Sequence, residues 1–310
     1  MPWIKKNLIY KPEGLNGWDC SHSYVVCADN SYSDKVRVYF SARDTQGRCQ
    51  ATFVDLNADN LSEVLYVCPE PILALGQPGT FDDCGITPTW FLNVRGQKWL
   101  YYVGWNVRNT VPYHNAVGLA ISNNGTHFQK AFDGPLVSTI ATEPYFNGSA
   151  CVLNDNGIFK IWYLNCTSWI EIEGKQEPCY HIKYAESDDG INWKRNGTVA
   201  IDYKDDIEGG ISRPTVLKED GIYKMWYSTR AKQNYRDQLA SSYRIGYAES
   251  LDGIKWTRKD HEVGIDVSAE GWDSDMIEYP MVFVHRGQKI LFYNGNGFGK
   301  TGFGYAIWQD

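Results

Sequence analysis

The phrase "HIKYAESDDGINW" at His181–Trp193 contains the pattern on which the fold depends. Related phrases are "AVGLAISNNGTHF" at Ala116–Phe128 and "RIGYAESLDGIKW" at Arg244–Trp256. In each phrase an Asn-Gly or Asp-Gly pair separates two apolar stretches, and these pairs supply the positive φ angles of a tight hairpin turn. We therefore expect two antiparallel strands in each phrase, with Asp189 and Asp252 serving the turns rather than catalysis.

An aromatic-rich strand repeats along the whole chain. The stretches "VRVYFSARD", "WLYYVGWN", "FKIWYLNC", "YKMWYSTR" and "ILFYNGNG" have matching aromatic residues at Phe40, Tyr102, Tyr163, Tyr227 and Tyr293. These positions are 62, 61, 64 and 66 residues apart in a chain of 310 residues. Each unit contains four short strands and shows no helical periodicity. The repeat predicts an all-β protein, a five-bladed β-propeller with four-stranded antiparallel blades.

The two ends of the chain are expected to complete one blade. The C-terminal stretch "GFGYAIWQD" matches the third strand of the other units, so the fifth unit lacks an outermost strand. "WIKKN" at Trp3–Asn7 resembles the fourth strands that begin at Trp193 and Trp256. Residues 3–10 should therefore pair with the C-terminal strand, close the ring and remove an exposed edge. Residues 1–310 are predicted to form one domain, with blades beginning near residues 19, 83, 143, 208 and 273.

Composition excludes several classes of partner. The net charge is −7 without a cluster of Lys or Arg, which argues against nucleic acid and anionic membranes as partners. The chain has no apolar run long enough to span a membrane, and "MPWIKKNLIY" lacks the apolar segment of a secretory signal. Eight cysteines without a CxxC pair indicate free thiols in a reducing cytoplasm.

Most candidate site residues lie in the loops that lead into the innermost strands, here called the leading loops. In a propeller these loops surround one mouth of the central channel, so their side chains should converge on one pocket. Carboxylates beside Trp and Tyr suit a polyhydroxylated ligand, because they accept hydrogen bonds from hydroxyls while aromatic faces stack on sugar rings. The candidate side chains are Asp19, His22, Asp82, Asp83, Glu143, Glu208, Arg213, Asp273, Asp275, Glu278 and Tyr279.

The blade pattern, the acids in the leading loops and the hairpin phrases resemble the five-bladed glycoside hydrolase superfamily, which includes families 43, 32 and 130. "FDDCGITPT", "GISRPTV" and "WDSDMIEYPMVF" are most similar to glycosidase-like proteins of bacterial surface-polysaccharide gene clusters. The resemblance implies an enzyme that acts on a glycan, glycoside or sugar nucleotide through acids of the first three blades. This chain departs from that pattern: of the two residues just before each innermost strand, only Glu278 is an acid.

We predict Asp83, Glu143 and Glu278 as catalytic residues, with Glu143 or Glu278 as the acid and Asp83 as the base. For Asp83, a turn cap is an equal alternative, and for Arg213 the alternative is an ion pair with Glu208 or Asp275. No metal-binding motif is present, and no cofactor is expected. The predicted substrate-binding residues are Asp19, His22, Asp82, Arg213, Asp275 and Tyr279.

Two other functions stay open on the same fold. A phosphorylase or transferase would use phosphate or a sugar nucleotide, whose anionic oxygens Arg213 would bind. A carbohydrate-binding protein without chemistry would explain the missing acids. Asp19 and Asp273 recur in the phrases "GWDC" and "GWDS", and recurrence in a repeat favours a structural role.

Overall fold

The computed structural model describes residues 2–309; Met1 and Asp310, the ends of the predicted domain, lie outside the described residues. The described chain contains twenty strands, one helical turn, α1 (Asn296–Gly299), and two 3-10 turns (Leu239–Ser241 and Asp260–Glu262). The strands are β1 (Trp3–Tyr10), β2 (Ser21–Asp29), β3 (Lys35–Arg43), β4 (Cys49–Asn57), β5 (Val64–Val67), β6 (Gly85–Val94), β7 (Gln97–Val107), β8 (Tyr113–Ser122), β9 (Gln129–Lys130), β10 (Asn147–Asp155), β11 (Ile158–Ile172), β12 (Lys175–Ser187), β13 (Val199–Ile201), β14 (Glu208–Glu219), β15 (Ile222–Ala231), β16 (Arg244–Ser250), β17 (Thr257–Arg258), β18 (Glu278–His285), β19 (Gln288–Asn294) and β20 (Phe303–Trp308).

The strands pair antiparallel in groups of four consecutive members: β2–β5, β6–β9, β10–β13 and β14–β17. A last group contains β18, β19 and β20, and β1 pairs with β20 so that Trp3 lies opposite Trp308. The predicted pairing of the N-terminal strand is thus present. Single parallel bridges, between Cys49 and Gly85 and between Tyr180 and Gly210, join neighbouring groups into larger sheets. None of the three sheets in residues 2–309 closes on itself.

The hairpin turns form as the Asp-Gly phrases predict. The Asp189 carboxylate accepts hydrogen bonds from the backbone N–H groups of Ile191 and Asn192, each at 2.8 Å. Asp252 accepts the equivalent pair at the same distance. Gly190 and Gly253 take the positive φ angles, 76° and 77°, that the turns require. Both aspartates are therefore committed to turn geometry.

The first strands of the five groups, β2, β6, β10, β14 and β18, contact one another in cyclic order. Aliphatic side chains such as Val26, Val152 and Val216 are fully buried in the core around these strands. A hydrogen bond joins each neighbouring pair of groups: Ser41 Oγ to Ile86 O, Thr89 Oγ1 to Ala150 O, Val216 N to Cys151 Sγ, Thr215 Oγ1 to Pro280 O, and Val25 N to Asn294 Oδ1.

Two further expectations concern the thiols and membrane-spanning segments. All eight cysteines are free thiols, as predicted from their spacing. Across residues 2–309, no helix has the length and apolar character that crossing a bilayer would demand.

Candidate functional site

A cavity of about 350 Å³, the axial cavity, opens where the five first strands begin. Every group contributes at least one residue from near the start of its first strand: Tyr24 and Val25, Thr87, Ser149, Ser212 and Tyr279. Its charged lining residues are Arg43 and Arg236, and within the described chain no aspartate or glutamate lines it. The aromatic lining residues beyond the first strands are Trp105, Tyr113, Phe146, Tyr180, Tyr235, Tyr243 and Phe298.

Irregular strand pairing orients the side chains at these starts. Each first strand has a register shift near its start, and four of the five have a residue with positive φ there. These residues are His22 (64°) and Val25 (53°) in β2, Ser149 (32°), Arg213 (50°) and Tyr279 (55°). A bulge opposes two residues to one and re-aims a side chain. The bulges therefore determine which side chains of the first strands face the axial cavity, because they interrupt the regular alternation of a strand.

Glu278, the first residue of β18, is fully buried. Neither carboxyl oxygen has a hydrogen-bond partner in residues 2–309, although the Tyr279 hydroxyl lies near enough to favour the charged form. Burial raises the pKa of Glu278 well above its ordinary value, and Tyr279 and Arg43 oppose this only in part. Tyr24, Tyr243 and Tyr279 line the axial cavity. Burial raises the pKa of each of these hydroxyls, and the nearby Glu278 raises it further. Burial therefore favours the neutral form of the Glu278 carboxyl, which lies directly behind the cavity wall.

Arg43 is a charged cavity residue without a counter-charge. Its Nε atom is buried and has no hydrogen-bond partner, and none of the ion pairs formed by residues 2–309 includes it. Its guanidinium lies 5.6 Å from the centre of the Tyr24 ring. Ser212 Oγ, on the same cavity, is also buried without a partner. These two polar atoms on the cavity are therefore free to bind a group that enters it.

A network centred on Arg230 orders the tyrosine wall. Arg230 Nε donates to the hydroxyl oxygens of Tyr180 at 3.1 Å and Tyr243 at 3.2 Å, and these two hydroxyls also contact each other. The Arg230 guanidinium lies 3.9 Å from the centre of the Tyr235 ring. A rigid aromatic wall with positioned hydroxyls suits the stacking and hydrogen bonding of a sugar ring.

The structure places most of the predicted acids outside the axial cavity, in clusters that hold each group together. Glu143 is almost fully buried and accepts hydrogen bonds from Tyr163 at 2.9 Å, Lys183 at 3.2 Å and Arg195 at 3.0 Å. In this acid–tyrosine–cation cluster, the tyrosine belongs to the repeated aromatic strand and Arg195 precedes the fourth strand. The expectation that Glu143 reaches the shared pocket is wrong, because these partners direct its carboxylate between strands.

The same cluster recurs in two other groups. Asp82 accepts from Tyr102 at 3.0 Å and pairs with Lys130 at 2.6 Å. Asp273 accepts from Tyr293 at 3.0 Å and pairs with Lys5 of β1 at 2.7 Å. In the β14–β17 group, Glu208 pairs with Arg258 at 2.6 and 2.8 Å. Asp82 therefore lies outside the cavity lining, contrary to expectation, and the recurrence favours the structural role for Asp273.

Asp19, Asp83 and Asp275 also lie outside the cavity lining, in turns and loops. Asp19 accepts from the backbone N–H of Asn16 at 2.9 Å and closes its own turn. Asp83 accepts from the N–H of Gly79 at 2.8 Å, which corresponds to the turn-cap alternative. Asp275 is exposed and contacts the hydroxyl of its neighbour Ser274. Short polar side chains satisfy nearby backbone donors in this way without reaching a distant pocket.

Arg213 and His22 are displaced from the predicted site by the bulges. Arg213 is fully buried and donates to the carbonyl oxygen of Val26 at 2.6 Å. Burial lowers the pKa of its guanidinium, and the thiols of Cys27 and Cys151 oppose this shift. Neither the ligand-anchoring position nor the ion pair expected for Arg213 is present; Ser212 occupies the cavity position instead. His22 lies outside the lining, and burial, with help from Arg43 and Lys300, lowers its pKa to about 4.

Three residues at the cavity that the sequence analysis did not assign to the site share one positional signal. Arg43, Trp105 and Arg230 each lie three residues after the matched aromatic of their repeat. Arg43 and Trp105 line the cavity, and Arg230 supports its wall. The residue type at this position changes from unit to unit, whereas the aromatic does not. Variation at a fixed place in a repeat could have identified these residues.

Comparisons with known proteins agree with the fold. No protein-family model matches the chain. It is 37% identical to the protein of Mycobacterium tuberculosis named uncharacterized protein Rv1502, over 310 residues and 100% of both chains. A stretch of 115 residues, 37% of this chain and 36% of the other, is 32% identical to a 1,2-beta-oligomannan phosphorylase of Thermoanaerobacter sp.. The structure of a thermostable family-43 glycoside hydrolase superposes with a TM-score of 0.68 at 16% identity, covering 94% of this chain and 90% of the other. The likeness shows a propeller fold of the glycoside hydrolase type.

Proposed function

This chain belongs to the same family as the mycobacterial protein Rv1502, and we propose that it is a glycoside-cleaving enzyme whose saccharide binds in the axial cavity. We also propose that its five strand groups are the blades of one propeller. The cyclic contacts of the first strands and their five connecting hydrogen bonds support this arrangement. The solved glycoside hydrolases with the same fold support the reaction class only by analogy.

The observation that carries the proposal is a fully buried Glu278 that has no hydrogen-bond partner in residues 2–309 and lies behind an aromatic cavity. Cleavage of a glycosidic bond needs a proton for the leaving oxygen, and a carboxyl kept neutral by burial is suited to supply it. Tyr279 follows Glu278 in β18 and lines the cavity, and its hydroxyl lies near enough to the Glu278 carboxyl to affect the pKa of that carboxyl. In the proposed step, this hydroxyl protonates the leaving oxygen as the carbon–oxygen bond breaks, and the Glu278 proton replaces the one that Tyr279 gives up.

Hydrolysis and phosphorolysis differ in the group that attacks the sugar, which is water in the first and phosphate in the second. Water loses a proton as it forms the new carbon–oxygen bond, so hydrolysis normally uses a second carboxylate as base. Within residues 2–309 no second carboxylate lines the cavity. An anionic phosphate attacks without losing a proton, and solvent then returns a proton to Glu278. This difference, together with the partial similarity to a phosphorylase, favours phosphorolysis as the second candidate function.

The other sequence-based roles stay predictions. The positions of Asp83 and Glu143 do not favour the catalytic roles predicted for them, because each carboxylate is bound by its own loop or cluster. The predicted setting in cytoplasmic surface-polysaccharide metabolism likewise stays a prediction.

Turnover of oligosaccharides and nitrophenyl glycosides, with and without phosphate, tests the proposal. We expect Glu278→Gln and Tyr279→Phe each to lower turnover by about 10²- to 10⁴-fold, the usual contribution of general acid catalysis. Glu270→Gln, which changes an exposed glutamate of the preceding loop, is the matched control and should leave turnover unchanged. Full turnover by both cavity variants would refute the assignment. Saccharide binding without any product would identify a binding protein instead.

A further inference from the structure

The charge of the axial cavity contrasts with the charge of the whole protein. The chain carries a net charge of −7. The cavity is lined by Arg43 and Arg236 but by no carboxylate in the described chain, and Arg230 supports its wall. Arg236 is neutralised by Glu177, with which it forms an ion pair. Of the two arginines that line the cavity, Arg43 is therefore the one whose charge no ion pair within residues 2–309 neutralises; Arg230, behind the wall, donates only to hydroxyl and carbonyl oxygens.

Binding of a ligand would desolvate the Arg43 guanidinium, which is unfavourable unless the ligand carries a negative charge. A sugar that enters the cavity displaces the water that still solvates the guanidinium. A neutral sugar would leave a desolvated cation without a counter-charge, which is strongly unfavourable. Within residues 2–309 Glu278 makes no ion pair with Arg43, and burial favours the neutral form of its carboxyl. A negatively charged ligand would supply the counter-charge that Arg43 lacks.

We propose that the saccharide bound in the axial cavity is anionic and that Arg43 binds its carboxylate or phosphate group. The inference rests on the proposed function and specifies its substrate class. Arginine presents paired N–H donors that match the oxygens of either group, and the unpartnered Nε of Arg43 is one such donor. Ser212 Oγ provides a second unpartnered hydroxyl on the same cavity.

The location of Arg43 indicates which part of a longer ligand carries the negative charge: the sugar unit inside the cavity. A groove of about 620 Å³ continues outward from the cavity and shares Tyr113, Tyr235 and Arg236 with it. The groove is formed by loops and strand ends of the second, third and fourth groups, including the hairpin between β11 and β12. Arg43 belongs to the first group and lies outside the groove lining. The rest of a longer ligand would lie in the groove, away from Arg43.

Calorimetric titration of the full chain with matched sugars tests the inference. The probes are methyl glucuronide and methyl galacturonide, glucose 6-phosphate and mannose 6-phosphate, the corresponding neutral sugars, and inorganic phosphate. We expect at least one acidic sugar to bind at least tenfold more tightly than its neutral parent. The carboxylate and phosphate arms identify which anion the site prefers.

Variants of Arg43 connect the preference to the proposed contact. Arg43→Gln should remove the tenfold preference, and Arg43→Lys should retain part of it, because lysine keeps the charge but loses the paired donors. Arg95→Gln, which changes an exposed arginine in the turn between β6 and β7, should bind like the unmodified protein. Thermal unfolding of each variant separates loss of binding from loss of folding.

Three outcomes would overturn the inference. They are equal binding of neutral and acidic sugars, a preference that survives Arg43→Gln, and binding of inorganic phosphate through Arg43 as tight as that of any acidic sugar. If neutral sugars bind and are cleaved in a Glu278-dependent reaction, the inference fails while the proposed function stands. If no saccharide of either kind binds, both fail.

Discussion

Glu143, in the loop before β10, and Glu278, at the start of β18, are both buried glutamates, yet their surroundings are opposite. Glu143 accepts hydrogen bonds from Tyr163, Lys183 and Arg195, whereas neither oxygen of Glu278 has a partner in residues 2–309. Burial without partners raises the pKa of Glu278, while the partners of Glu143 compensate its charge. The comparison shows that partners, rather than burial, distinguish an acid that supports the fold from one available for chemistry.

The repeat provides the same distinction. The Glu143 cluster recurs around Asp82 and Asp273, so it serves what the groups have in common, which is their internal packing. Glu278 has no acidic equivalent: Ser21, Ile86, Asn147 and Ser212 occupy its position in the other groups. In this molecule the repeated acids hold the architecture together, and the acid without equivalents lies at the cavity.

Removal of the Glu143 charge should have the largest effect on stability. Glu143→Gln leaves Lys183 and Arg195 buried without their counter-charge, and we expect the free energy of unfolding to fall by about 3–5 kcal/mol. Denaturant unfolding measures this change. Glu270→Gln controls for the loss of one negative charge at the surface. A loss below about 1 kcal/mol would show that the cluster does not hold its group together.

The tyrosine of the same cluster should matter less than the acid. Tyr163→Phe removes one hydrogen bond to a buried carboxylate, and we expect a loss of about 1.5–3 kcal/mol in unfolding free energy. Tyr279→Phe is the matched variant at the cavity, where the hydroxyl contacts Tyr24 only at 3.5 Å, so its stability cost should be smaller. Equal costs in denaturant unfolding would remove the contrast between the two regions.

Glu278→Gln should change stability least and in the opposite direction. We expect a gain of about 0.5–2 kcal/mol at neutral pH, as is common when a functional residue that destabilises the fold is replaced. The raised pKa means that the unfolded chain releases this proton near pH 4.5 while the native protein retains it, so native stability falls as pH rises above that value. The gain should therefore be absent below pH 4.5 and grow above it. Unfolding curves of both proteins across this range measure the difference, and a destabilised variant at neutral pH would contradict the account.

Local patterns in the sequence predicted the strands and turns but not the site. The Asp-Gly turns at Asp189 and Asp252 and the pairing of β1 with β20 follow from contacts between neighbouring residues and from matching of repeats. The cavity depends on bulges that change which side chain faces the axis. Arg213 was expected at the mouth, but the bulge directs it to Val26 and leaves Ser212 on the cavity.

The ion-pair and hydrogen-bond partners of the acids could not be predicted from the sequence either. Glu143 and Arg195 are far apart in the chain, and only the folded group places them 3.0 Å apart. The leading-loop acids therefore looked alike in sequence, although four of them form ion pairs with Lys or Arg and Glu278 forms none in residues 2–309. Comparison of the units with one another, rather than inspection of each, would have separated the repeated acids from the exception.

The protonation state of Glu278 tests the central claim most directly. Infrared difference spectra between the unmodified protein and Glu278→Gln at pH 7 isolate the signal of this one carboxyl. The account predicts a carbonyl band of a protonated carboxylic acid in the unmodified protein, absent from the variant. A difference spectrum that contains only the bands of an ionised carboxylate would contradict it.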